Sequence, residues 1–457
     1  MTEVQDLARF VVGTKLADMS AKALDQLKIR VLDTLGVAIG ALDATPTVAI
    51  RGLTEELGGN GQATLIGGGT SAPDRAAFYN TSLSRYLDFM DAFLSPGETN
   101  HPSDNIGACL AASESVDAPG SEFLTAAAVA YQVQTRLSEV APVRAHGFDH
   151  TVQGAYAVAA AVSRALGLDA AKAANAIAIS GTANNALRVT RTGDLSNWKG
   201  LAYPQVAKEG TFAALLARAG ITGPSQVFEG NKGFKQTIAG DFSLDWSKEN
   251  LEGVLRTIIK KHNAEIHSQS AIDAALALRE KPGFDPAKIR AVRIRIFQVA
   301  YDIIGGGEEG SKREIRTKEE ADHSLLYMVA AALLDGAVQP AQFEPKRILA
   351  SDVQSLLART KAQPDAGFSA RFPKEMPVEV EVESEDGSVV AESRDGYRGF
   401  VNDPVDWDDA QAKFETLATD FAGPALRDEI VECVRGLERR QVRDLTALLA
   451  KVSPVRR

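Results

Sequence analysis

Alanine and leucine recur at helical spacing in Leu24–Leu42, Phe123–Val140, Gln153–Leu166 and Phe212–Ala219. That period predicts helices from the start of the chain to about Ala264. Gly167 and Gly220 follow two of these runs and predict their stops, and Pro204 predicts a helix's first position, where a missing N–H is harmless. Beyond Pro282 the period changes. Ala291 to Phe297 alternates Arg with apolar residues, and Val378 to Glu383 alternates Val with Glu. Asp386-Gly387 then offers a tight turn before Val389-Val390. Period-2 alternation around such a turn predicts a hairpin. His323–Leu334 reads as helix between these strands, and helix returns after Pro404 through Leu449. The prediction is a mainly α protein with an α+β second domain. A large helical domain is built from both chain ends (1–268 and 403–457), and a smaller α+β lid domain (269–402) is inserted into it.

Composition agrees with two domains. The 457 residues exceed what one core usually holds, roughly 250–300 residues. Hydrophobic residues make up 45% and charged residues 24%, as in ordinary globular proteins. The formal net charge of −10 argues against nucleic acid or an anionic membrane as partner. It also requires any polyanion site to gather its own cations. No apolar run reaches the roughly 20 residues of a membrane span, and residues 1–15 mix acids and bases, so a cytoplasmic location is expected. Only Cys109 and Cys433 are present, too few for the thiolate set that an iron–sulfur cluster needs.

Several motifs fail on inspection. Gly58-Gly59-Asn60-Gly61 follows no strand and lacks a third glycine of a dinucleotide loop. Gly305-Gly306-Gly307-Glu308-Glu309-Gly310-Ser311-Lys312 has Ser and Lys in the wrong order for a phosphate loop and sets two glutamates against the phosphates. There is no zinc-type Cys/His spacing and no G-x-S-x-G elbow. No metal and no cofactor is expected.

What remains is a set of histidines and cations in unusual settings. His101 lies in the polar run Asn100-His101-Pro102-Ser103-Asp104-Asn105, after Asp88-Phe89-Met90-Asp91. His150 follows Phe148-Asp149 at the start of an Ala-rich helix. Lys199 follows Trp198, and Lys208 is about one turn past Pro204. Taken singly, each is more simply a cap, a surface charge or a core hydrogen bond. Together they are what elimination from a polycarboxylate needs. Removing a proton beside a carboxylate adds negative charge that Lys or Arg must hold. A base must take the proton and an acid must protonate the leaving hydroxyl, and His suits either task. A buried acid such as Asp88 can orient a His.

At these residues the chain resembles the MmgE/PrpD family over essentially its whole length. The resemblance rests on Leu32-Asp33-Thr34-Leu35-Gly36, Leu87-Asp88-Phe89-Met90-Asp91 with His101-Pro102-Ser103-Asp104-Asn105, and Asp149-His150-Thr151. Trp198-Lys199-Gly200, Lys208-Glu209-Gly210, Phe228-Glu229-Gly230 and Lys232-Gly233-Phe234 follow in family order. Asn263-Ala264-Glu265-Ile266-His267-Ser268-Gln269 and Asp322-His323-Ser324-Leu325 resemble its bacterial dehydratase branch. The resemblance implies a helical domain plus a smaller α+β lid, usually a homodimer, with the active site in the cleft between domains. It implies a cofactor-independent hydro-lyase that converts 2-methylcitrate, or a closely related tricarboxylate, to 2-methylaconitate. The implied catalytic positions are Asp88, His101, His150 and Lys199. Substrate contacts fall on Lys208 and, more loosely, Lys260 and Tyr301, with Arg188 and Arg191 as further cations. The family also holds decarboxylases and epimerases of other di- and tricarboxylates, such as cis-aconitate. A non-catalytic binding protein on the same fold is the alternative of another class. Ala92 stands where the family often has Thr, and His262-Asn263 where it often has an aromatic residue and Pro.

Overall fold

The computed structural model describes residues 1–455. The chain divides into two compact units: residues 1–188, 200–258 and 405 onward form one, and residues 189–199 and 259–404 form the other. No helix among the described residues is long and apolar enough to cross a membrane.

The first unit is helical. At its centre lie Gly120–Val140 and Thr151–Ala165, whose small residues are buried nearly all round. A helix without a polar face belongs inside a core, and alanines let backbones approach closely. The chain's two ends meet on Ala21–Ile39. A Cβ on Gly36 would lie 3.1 Å from the Phe414 Cα, so the absent side chain admits the helix Trp407–Ala418. One turn earlier, Asp33 pairs with Lys413 at 2.7 Å. The Leu32–Gly36 motif thus docks the C-terminal segment. Lys413 also donates to the Phe89 carbonyl at 2.6 Å, which fixes the loop that carries Asp88.

Two expectations need correction here. Pro204 lies inside the helix Trp198–Arg218, not at its start. The lost backbone bond is offset by burial of this stretch, because Ala202, Tyr203, Val206 and Ala207 are all buried. The expected helix up to Ala264 also fails after Arg218. Residues 219–268 carry only single 3-10 or π turns. Glycines, Pro224 and short polar residues break the pattern there, and Gly220 and Gly240 take positive φ.

The second unit holds a mixed four-stranded sheet. Ile289–Ile296 pairs in parallel with Thr360–Pro364 and antiparallel with Val378–Ser384, which pairs with Val389–Arg394. Val292, Ile294, Ile296, Val378, Val380 and Val382 fill one face. On the other face Arg293 reaches Glu381 at 2.6 Å and Arg295 reaches Glu379 at 3.1 Å. The alternation read from sequence is this two-faced arrangement. Gly387 turns the hairpin at φ +83°. The apolar helix Leu325–Asp335 is capped by Ser324 and ended by Gly336 at φ +74°.

Candidate active site

In the helical unit, the helix Pro73–Tyr86 ends just before Asp88, whose φ is +55°. A non-glycine residue in that region is uncommon, though Asp tolerates it better than most. The chain then forms a short hairpin, Phe93–Ser95 with Glu98–Asn100, and delivers His101. The Asp91 carboxylate ties this segment down by accepting from Ser103 N–H at 3.1 Å and Tyr131 O–H at 2.7 Å. Burial pushes the Asp91 carboxyl up, against the opposing pull of Arg30 and these hydrogen bonds.

Both histidines are buried, and their rings meet edge to face with centroids 5.5 Å apart. They are held differently. His101 Nδ1 lies 2.7 Å from the Asp91 carbonyl oxygen. A carbonyl only accepts, so Nδ1 carries the hydrogen and Nε2 of the neutral ring keeps a lone pair. His150 Nδ1 lies 3.2 Å from the Asp149 carboxylate, within ion-pair reach of a protonated ring. Asp149 is fully buried and also lies 3.8 Å from Arg188. The carboxylate that reaches His150 is therefore its own chain neighbour. Asp88 has Arg85 at 3.8 Å, and that guanidinium is 3.6 Å from Asp104.

Tyr203 closes the far side of His150, with ring centroids 6.3 Å apart. Its hydroxyl lies 3.0 Å from Asn105 Oδ1 and 2.9 Å from Gln134 Oε1. Gly154 makes room for it, because a Cβ there would stand 2.6 Å from the ring. Lys208 is not gathered into this group. It pairs with Glu209 at 3.0 Å, and 36% of its side chain is exposed. Helical geometry turns it away from Tyr203, five positions earlier.

In the α+β unit the groups are ionic. Lys199 donates to Asp322 at 2.8 Å and lies 2.9 Å from His323 Nδ1. Lys318 holds the other Asp322 oxygen at 2.6 Å. Against the burial that would raise it, Lys199, Lys318 and His323 hold the Asp322 carboxyl far below the usual range. Arg191 reaches the Lys199 carbonyl at 3.4 Å. Glu265 accepts from its neighbour's backbone, His267 N–H, at 2.7 Å, and its other oxygen meets His267 Nδ1 at 2.7 Å. Its own N–H donates to the Asp322 carbonyl at 3.1 Å. Burial alone would raise Glu265, but His267, His323 and the fully buried Lys260 bring it down to about 2. Tyr301 packs over a glycine turn instead, where a Cβ on Gly305 would stand 2.8 Å from its ring. His262, one of the departures from the family pattern, is buried against Asp273 at 2.7 Å.

The acids beside the histidines were not singled out as site residues. The signal was present: Asp149-His150, Glu265-Ile266-His267 and Asp322-His323 each set an acid within two residues of a buried histidine. Tyr203 gave no such signal, since its role depends on Asn105, Gln134 and Gly154. The cysteines offer no competing chemistry near neutrality. Burial pushes the Cys109 thiol up to about 12 and Cys433 up to about 11.

Residues 5–247 match the MmgE/PrpD N-terminal domain, and residues 262–439 match the MmgE/PrpD C-terminal domain. The chain belongs to the MmgE/PrpD family. Among its MmgE/PrpD relatives, 2-methylcitrate dehydratase of Escherichia coli is 27% identical over 398 residues, covering 81% of this chain and 79% of the relative. The same-named protein of Salmonella typhi is 28% identical over 420 residues, covering 84% and 83%. Cis-aconitate decarboxylase of Homo sapiens is 26% identical over 490 residues, covering 98% and 95%.

Proposed function

We propose that this MmgE/PrpD protein is a hydro-lyase that dehydrates 2-methylcitrate, or a closely related tricarboxylate, to 2-methylaconitate. The observation that carries the reading is the buried His101–His150 pair, one ring held through Nδ1 by the Asp91 carbonyl oxygen and the other beside the Asp149 carboxylate. His101, its Nδ1–H held by a carbonyl, takes the proton beside a substrate carboxylate. The C–H electron pair becomes the new C=C bond, the C–O bond breaks, and His150 gives its proton to the departing hydroxyl, which leaves as water. Asp149 faces the protonated His150 in this scheme, and Arg188 balances Asp149. Lys199 holds the negative charge that develops on the carboxylate, with Arg191 and Lys260 as further cations. Every proton in this scheme moves between side chains and substrate, so activity should survive EDTA.

Decarboxylation is the second reading, favoured by the human relative that matches nearly the full length of this chain. One experiment separates the two. The protein is offered 2-methylcitrate, citrate and cis-aconitate while ultraviolet absorbance reports new conjugated alkene and a trap collects carbon dioxide. Alkene without carbon dioxide supports dehydration. Carbon dioxide from cis-aconitate defeats it, and silence with all three substrates defeats both readings.

A further inference from the structure

Glu98 is a buried carboxylate that the elimination scheme leaves unused. It lies on the second strand of the short hairpin, just ahead of His101. Its Oε2 accepts from the Val143 N–H at 3.0 Å and from the Arg144 N–H at 3.3 Å. Both belong to the loop that runs from the helix Gly120–Val140 to His150. The same oxygen accepts from the Gln153 side-chain amide at 3.3 Å. Gln153 lies about one turn past His150 on the helix Thr151–Ala165, and its amide also donates to the Ala141 carbonyl at 3.0 Å. Oε1 accepts from Thr99 N–H at 3.2 Å. Ser95 and Asn100, on the same hairpin, reach Ser138 instead.

Each of the Glu98 contacts brings a donor, and only an ionised carboxylate accepts freely through both oxygens. The setting is built for a charged Glu98. Burial pushes its carboxyl up, Val143 N–H and Arg188 oppose that push, and Asp149 adds to it. Asp149, His101 and Tyr203 face His150, and Arg188 faces Asp149. We propose that Glu98 is a positioning residue for the histidine pair, a clamp that fixes the His150 loop and helix start to the hairpin that delivers His101. The inference rests on the pair being the acid/base centre, whichever carboxylate is the substrate.

The test follows the ring signals of both histidines by NMR from pH 5 to pH 9 in the substrate-free chain, and then turnover. Glu98→Gln keeps the size but sets an amide donor among donors and removes an anion that acts on Asp149 and Arg188. His150 should therefore lose its proton at lower pH than in the wild type. kcat should fall roughly ten- to a hundredfold with KM within about twofold, because a misplaced acid or base costs rate and Glu98 touches protein donors only. Glu98→Asp keeps the charge and should move the His150 midpoint less, although Gln is the closer match in size. Glu114→Gln is the control. That carboxylate is as buried as Glu98 but binds Thr64 and Thr446, so its loss should lower the melting temperature and leave the His150 midpoint alone. A wild-type midpoint in folded Glu98→Gln overturns the proposal, and so does an equal shift in Glu114→Gln. The midpoint is read without substrate, so this result stands whether or not the chain dehydrates a tricarboxylate. Should Glu98→Gln fail to fold, Gln153→Met cuts the clamp from the His150 side, and a wild-type kcat there overturns the proposal.

Discussion

In the helical unit, burial drives Asp33, Asp91 and Glu98 upward. In the α+β unit Glu265 and Asp322 are equally buried, yet they are driven down. The difference is the number of cations within reach. Asp33 has Lys413 at 2.7 Å and the weaker pull of Arg30, with Asp91 pushing the other way, and Asp91 has Arg30 at 3.9 Å. Asp322 has Lys199 and Lys318 both within 2.8 Å, with His323 beside them. Desolvation prevails where the opposing cations are few or distant and a second carboxylate adds to it, and it yields where several close cations converge. The helical unit therefore holds carboxyls raised by burial in the same unit as the histidine pair to which the proposed proton transfer is assigned. The α+β unit keeps Glu265 and Asp322 ionised among several cations.

The sharpest break of that contrast is at the histidines. His101→Gln and His150→Gln should each lower kcat by roughly 10²–10⁴-fold, the usual worth of a positioned acid or base. His146→Gln, on an exposed 3-10 turn, is the control and should leave turnover unchanged. If the two buried histidines serve only packing, the loss will appear in melting temperature, with near-normal turnover in the folded fraction. Severe turnover loss at unchanged melting temperature is the expected result.

Next in size is the acid response of the α+β unit. Glu265 is held at about 2 against an ordinary 4.5. A depressed carboxyl contributes stability that is fully present above its unfolded value and is lost as pH falls through its folded one. The contribution at neutral pH is about 3 kcal/mol, fading between about pH 4.5 and pH 2. The raised carboxyls of the helical unit carry the opposite sign: their contribution is present at low pH and is lost as pH rises through their folded values. Denaturant melts from pH 2 to pH 7 should therefore show Glu265→Gln less stable at neutrality and flatter toward acid. An acid limb as steep as the wild type's would remove Glu265 from the account.

Lys199→Ala tests whether the fixed charges hold substrate. A charge-assisted hydrogen bond is worth about 1.5–3 kcal/mol, so kcat/KM should drop by roughly one to two decades. Lys318→Ala removes the other ammonium on the same carboxylate and serves as comparison. Both variants should lose stability, but only Lys199→Ala should lose kcat/KM. Equal kinetic losses would reduce Lys199 to a structural partner of Asp322.

How much of this could be read from sequence differs along the same division. The sheet was legible because Val378 to Glu383 alternates strictly, and the structure buries its valines and ion-pairs its glutamates across strands. The central helices were legible from alanine spacing. Pro204 misled because local rules place proline at a helix start, while the packing of Tyr203 and its neighbours outweighed that rule. His101 and His150 stood out by scarcity and setting. Their different holds were not legible, because the Asp91 carbonyl reaches His101 across a hairpin, and Tyr203 reaches His150 from another helix.

The smallest expected effect lies at Gly154, and it tests whether the histidine pair depends on packing as well as on hydrogen bonds. Gly154→Ala sits at the end of the first turn of the helix Thr151–Ala165, where alanine is intrinsically favoured by up to roughly 1 kcal/mol. Propensity alone therefore predicts stabilisation. Against it, the new methyl would stand 2.6 Å from Cε2 and 2.7 Å from both Cζ and the hydroxyl of Tyr203, a ring that is fully buried. Overpacking of that kind costs about 1–3 kcal/mol, so the expected net result is a modest loss of melting temperature. The displaced ring also carries the hydroxyl that meets Asn105 and Gln134, and it lies against His150. Turnover should fall further than stability does, and Tyr203→Phe, which keeps the ring but drops the hydroxyl, should fall less than Gly154→Ala. A more stable Gly154→Ala with full turnover would show that Tyr203 has room to move and that its placement beside His150 is incidental.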